Sequence, residues 1–137
     1  MNIVATDAGA LAILLAALGS SPSMKVRLFS NNHAMDHATV LGDLTECAFT
    51  GYSAAAPTWT TPAISGGVPQ TLPSPAGVPF TYSGASTTVV YGFYLTDSGG
   101  TVLYGGSTFP APVTLSTIVT TLTVYPVYTT KEEFAST

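Results

Sequence analysis

Residues 87–109 read Thr87-Thr-Val-Val-Tyr-Gly-Phe-Tyr-Leu-Thr96, then Asp97-Ser-Gly-Gly100, then Thr101-Val-Leu-Tyr-Gly-Gly-Ser-Thr-Phe109. Two runs rich in β-branched and aromatic residues flank a four-residue turn cluster, the pattern of a β-hairpin. Side chains alternate along a strand, so Val89, Tyr91, Phe93 and Leu95 share one face. Thr88, Val90, Gly92, Tyr94 and Thr96 share the other. The more apolar first face is expected to be core and the mixed second face only partly covered. Val90 and Tyr94 would then be open to another protein.

Outward from the hairpin, the chain reads as short strands separated by turn signals. Met24–Ser30 is an edge-like strand in which Met24, Val26 and Leu28 alternate with Lys25, Arg27 and Phe29. Asn31–Ala38 is a polar loop, followed by expected strands at Thr39–Leu44 and Glu46–Tyr52. Residues 57–79 hold six of the ten prolines together with Trp59. Proline lacks the N–H that a sheet interior needs, so this stretch reads as loop or short edge strand and as a candidate contact surface. Pro79–Ser83 is a short strand. Pro110 and Pro112 are expected to break the chain before Val113–Leu115, and Ile118–Tyr128 reads as the last long strand.

The amino-terminal arm, residues 1–23, differs in character. Thr6 or Asp7 can cap a helix running from Ala8 through Leu18, which Gly19 stops. This helix is apolar nearly all round, so it must be buried, either on its own sheet or on a neighbouring subunit. It is too short to cross a bilayer, and the arm lacks the basic residues of a signal peptide. The expected organisation is an arm (1–23), a β domain (24–130) and a charged tail (131–137). The fold class is all-β: an antiparallel, jelly-roll-like β-sandwich of about eight strands with one short helix, an incomplete barrel being the alternative.

Only 10 of the 137 residues are charged, and between Cys47 and Thr130 the sole charged side chain is Asp97. So little charge suits a surface covered by partners better than one left in water, although Thr, Ser and Gln can also solvate a monomer. Three basic residues and a net charge of −4 exclude the cationic row that nucleic-acid binding requires. Cys47 is alone and reads as a small buried hydrophobe.

The chemistry-bearing residues do not converge. His33 and His37 share a loop with Asp36, a spacing that would suit zinc on a helix, but Asn31-Asn32 and Ala34-Met35 do not make one. Asp43 and Glu46 fall at a turn rather than forming an acid–base pair. Gly-x-Ser-x-Gly is absent, and the glycine pairs lack the lysine and helix of a phosphate loop. Tyr52, Trp59, Tyr82, Tyr94 and Tyr104 are expected in cross-strand packing before sugar stacking. Neither catalytic nor cofactor- or metal-binding residues are expected, nor a small-molecule substrate.

Several segments taken together carry a family resemblance. They are Val26-Arg-Leu-Phe-Ser-Asn-Asn32, Val40-Leu-Gly-Asp-Leu-Thr-Glu46, Phe49-Thr-Gly-Tyr52 with Trp59, Tyr91-Gly-Phe-Tyr-Leu-Thr-Asp97 and Pro112-Val-Thr-Leu115. Across residues 11–128 the chain resembles small virion structural proteins of tailed bacteriophages, in particular capsid cement (decoration) proteins. The resemblance implies a jelly-roll dimer on the outer surface of a capsid, with the major capsid protein as partner. The contacts expected are the arm (Leu11, Leu14, Leu15, Leu18), the loop around Trp59, Val90 and Tyr94 on the hairpin, and Phe134 in the tail. A host- or glycan-binding module of a phage tail or fibre is the alternative.

Overall fold

The computed structural model describes residues 1, 8, 9, 12, 24–59, 63–65, 68–71 and 77–129. The chain divides into two compact units. One comprises Ser23–Pro57 and Val78–Val124; the other comprises Met1–Pro22, Thr58–Gly77 and Tyr125–Thr137. The described strands pair antiparallel throughout, and the chain is all-β.

In the larger unit β1 (Lys25–Phe29), β5 (Thr88–Thr96) and β6 (Leu103–Leu115) form a sheet in the order β1-β5-β6, with the expected hairpin as its β5–β6 half. Asp97 builds the turn. Its Oδ1 accepts the N–H groups of Thr101 (2.7 Å) and Val102 (2.9 Å), and its Oδ2 accepts the Thr101 hydroxyl (2.7 Å). Gly100 sits at φ +71°, a left-handed conformation that side chains resist. A separate two-stranded sheet pairs β4 (Val78–Thr81) with β7 (Thr121–Val124). In the smaller unit β2 (Ala63–Ser65), β3 (Val68–Thr71) and β8 (Tyr128–Thr129) form a sheet in the order β2-β3-β8. The proline-rich segment thus contains two strands. Among the described residues β8 pairs with Gln70 and Thr71, and Pro69 pairs with Ile64 of β2.

Several expectations are corrected. Pro110 and Pro112 do not break the chain: β6 runs through them. Val90 pairs with Val113 and Gly92 with Thr108, so residues 109–112 bulge opposite Tyr91, and the prolines lie where no ladder bond is required. Thr39–Leu44 is not a strand; Leu41–Asp43 is a single 3-10 turn, with the Asp43 Oδ2 accepting the Val40 N–H at 2.9 Å. Glu46–Tyr52 is irregular, bridged to β1 from Glu46 to Phe29, and a second single bridge joins Ala55, beyond it, to Val26. The last long strand is instead β7 and β8, preceded by a turn at Ser116–Val119 whose Ile118 is 91% exposed. Ala8, Gly9 and Ala12 have helical backbone. The rest of the expected arm helix and the tail from Lys131 lie outside the described residues.

The hairpin's faces are the larger correction. On β5 the buried residues are Val90, Gly92, Tyr94 and Thr96 together with Leu95, whereas Val89 is exposed and Tyr91 and Phe93 are half-buried. The face expected to be partly open is the better covered one. Register explains it: Phe29 lies beside Gly92 and Arg27 beside Tyr94 on that face, while Val26 lies beside Leu95 and Leu28 beside Phe93 on the other. Val26, Leu28 and Phe29 are all fully buried, so the sheet is covered on both sides along β1. Full burial of each such side chain contributes about 1.5–3 kcal/mol.

Candidate partner-binding surfaces

None of the expected contact residues is shown to form an open surface. Leu11, Leu14, Leu15, Leu18 and Phe134 lie outside the described residues. Val90 and Tyr94 are core, the Tyr94 ring lying 6.4 Å from that of Phe29. They cannot present a face to a partner, which corrects their assignment. Trp59 is half-buried, and its indole N–H lacks a hydrogen-bond partner among the described residues.

A polar network ties β1 to the irregular segment that follows it. Arg27 donates through Nη1 to Glu46 Oε1 (2.8 Å) and through Nε to Thr96 Oγ1 (2.9 Å), and Thr96 donates onward to the Asp97 carbonyl (2.8 Å). Tyr52 donates its hydroxyl to the same Glu46 oxygen (2.8 Å) and accepts the Leu28 N–H (3.1 Å). These bonds fix β1 to the segment that follows it and to the end of β5. Burial pushes the Tyr52 hydroxyl upward, and the hydrogen bond to Glu46 adds to the rise. Burial pushes the Cys47 thiol up to about 12, helped by the Glu46 charge. A thiol that remains protonated is a poor nucleophile.

The histidine loop is a structural turn. His33 Nε2 meets the Thr39 hydroxyl at 3.0 Å, and Thr108 Oγ1 accepts the Met35 N–H (2.9 Å) while donating to the His33 carbonyl (2.8 Å). Asp43 and Glu46 serve separate bonds and do not face each other as a pair. Among the described residues no three His, Cys, Asp or Glu side chains gather as a metal site requires. Among them, too, no helix is long and apolar enough to cross a membrane.

Beside the exposed Asp36, Asp43 and Glu46, the larger unit presents a set of apolar side chains. Val40, Val89, Val102, Tyr104, Ile118 and Val119 are all exposed. Ile118 and Val119 are held out by a clamped turn: Ser116 Oγ accepts both of their N–H groups (3.2 Å each), and the Ser116 N–H donates to the Val119 carbonyl (2.9 Å). Sequence reasoning placed Ile118 inside a strand because Ile118, Thr120 and Leu122 alternate; Ser116 two residues earlier was the signal for a turn. A groove of about 510 Å³ lies between the 45–50 segment and the 84–88 loop, lined by hydroxyls, Glu46, Phe49 and Tyr82. Phe49 packs edge-on against Tyr52 (5.1 Å) and Tyr82 (5.7 Å), and the Tyr82 hydroxyl donates to the Ser86 carbonyl.

Comparison with known proteins adds no relative: no family model, curated protein or solved structure matches the chain.

Proposed function

We propose that the chain is a structural virion protein that binds a bacteriophage capsid shell from outside and stabilises it, as cement proteins do. On this reading the domain is a jelly-roll-like sandwich that dimerises and contacts the major capsid protein, without cofactor, metal or small-molecule substrate. The observation that carries the reading is the surface of the larger unit. Exposed valine, isoleucine and tyrosine side chains stand on a rigid antiparallel frame, and from Ser98 to Thr130 there is no charged residue at all. A protein in water gains little from that surface, whereas a protein wedged among shell subunits buries it. The resemblance of residues 11–128 to small phage virion proteins points the same way.

The alternative is a host- or glycan-binding module of a tail or fibre, for which the hydroxyl-lined groove beside Phe49 speaks. Tyr82 offers it little, being buried with its hydroxyl already bonded. Position in the particle separates the two. A density map of intact particles should place many copies over the capsid faces; a few copies confined to the tail would favour adhesion and overturn the cement reading.

A further inference from the structure

A second, smaller cavity adjoins β6, beside the turn at residues 35–39. It holds about 240 Å³, with apolar lining from Met35 and Leu103, an aromatic lining from Tyr104 and a carboxylate from Asp36. His37, Thr39, Gly105 and Gly106 complete it, and a Cβ at Gly105 would meet nothing within 4 Å, so the space above the strand is open there.

Asp36 is held in place by its own turn. Its Oδ1 accepts the Ala38 N–H (2.9 Å) and the Thr39 hydroxyl (3.0 Å), and its N–H donates to the same hydroxyl (3.0 Å). These bonds keep the carboxyl below its ordinary range and therefore ionised at neutral pH. Its second oxygen, Oδ2, takes part in no hydrogen bond among the described residues. The ion pair found among those residues is Arg27 with Glu46, so Asp36 has no lysine or arginine of its own. The titratable side chain beside it is His37, which is exposed and lines the same cavity. A neutral sugar would need paired donors and acceptors, and the Thr39 hydroxyl is already committed to Asp36 and His33. The combination of apolar lining, one aromatic ring and one unpaired, fixed anion is instead that of a site for an alkyl chain ending in a cation.

We propose that this cavity receives a basic side chain from a neighbouring protein. The aliphatic stem covers Met35 and Leu103, and the cationic end meets the free Asp36 oxygen and the Tyr104 ring. The identity of that neighbour as a shell subunit rests on the proposed function; the affinity for the side chain does not.

The test is a titration of the isotope-labelled full chain with N-acetyl-lysine amide, followed through backbone amide resonances. N-acetyl-norleucine amide, which has the same stem without the ammonium, serves as control. Saturable shifts at Met35, Asp36, Gly105 and Gly106 are expected with the lysine amide, at least about three-fold weaker with the norleucine amide. Asp36→Asn keeps the Oδ1 acceptor of the turn and should weaken the lysine amide by about three- to five-fold. Tyr104→Leu should weaken it less. No saturable shifts at these residues, equal affinity for both amides, or full affinity in a folded Asp36→Asn chain would overturn the proposal. Should Asp36→Asn fail to fold, the comparison of the two amides on the unaltered chain decides alone. A chain found at the tail would remove the shell subunit as partner and leave these outcomes unchanged.

Discussion

Gly92 has a hydrogen where any other residue would carry a Cβ, and the Phe29 ring uses that space. A Cβ built there would lie 2.5 Å from the Phe29 Cζ and closer still to the Ser107 carbonyl oxygen. Gly92→Ala should therefore lower unfolding free energy by about 1–3 kcal/mol in urea titrations, with an unchanged m-value. The same residue accounts for why the hairpin's faces were misjudged from sequence. Counting apolar side chains favoured Val89, Tyr91, Phe93 and Leu95, because Gly92 and Thr96 look weak on the opposite face. Each is small or polar for the sake of a residue on β1: Gly92 admits Phe29, and Thr96 receives Arg27. Those partners lie more than sixty residues away, and periodicity within one strand does not register them.

Ionisation gives a second prediction at this scale. Cys47 and Tyr94 are neutral when protonated, and burial raises both to about 12 from ordinary values of 9.0 and 10.0. The folded chain holds these protons more tightly than the unfolded one. Their contribution is thus complete below about pH 9 and is lost as pH rises towards 12. Thermal melting at low salt should show a falling midpoint over that window, and Cys47→Ala should shrink the fall. A midpoint flat from pH 8 to 11 would contradict the buried, protonated state of both groups.

At the scale of elements, the connection from β1 to the 46–55 segment combines isolated backbone bridges with side-chain hydrogen bonds. Tyr52 supplies the acceptor for the Leu28 N–H, so Tyr52→Phe leaves a part-buried donor without a partner and should cost about 1–3 kcal/mol. If Tyr52→Phe melts as the unaltered chain does, water replaces the hydroxyl and the network is dispensable. What was legible here in the sequence was local chemistry. Asp97-Ser-Gly-Gly encodes a turn within four residues, and β1 announces itself by alternation. What was not legible depends on partners distant in sequence. Thr39–Leu44 has strand-like composition, but Asp43 bonds back to Val40 and closes a turn. Pro110 and Pro112 look like breakers and are accommodated because β6 bulges at residues 109–112, opposite Tyr91 of its partner strand. The candidate site was less legible still: the uncharged character of the surface was plain, but not which residues stand on it. Val90 and Tyr94 proved to be core, and the cavity at Asp36 depends on a loop meeting β6 across some seventy residues.

At the scale of the whole molecule, the chain combines a strongly tied antiparallel frame with a surface almost free of charge. That combination predicts a division between folding and attachment. Ile118→Ser removes an exposed side chain from a turn held by Ser116, so the melting temperature should stay within a degree or two while binding to shells weakens several-fold. Co-sedimentation with shells lacking the chain reads the second effect, and unchanged binding would remove this turn from the interface. Removal of residues 1–19 should likewise weaken attachment and leave the β domain folded; an unfolded product would make the arm part of the core.

Cementing is a claim about force, and the most direct measurement is the temperature at which particles release their genome. Particles stripped of this chain should release it at lower temperature than intact ones, and adding back the purified chain should restore the difference, with Ile118→Ser restoring less. Equal release temperatures for stripped, intact and reconstituted particles would contradict the account.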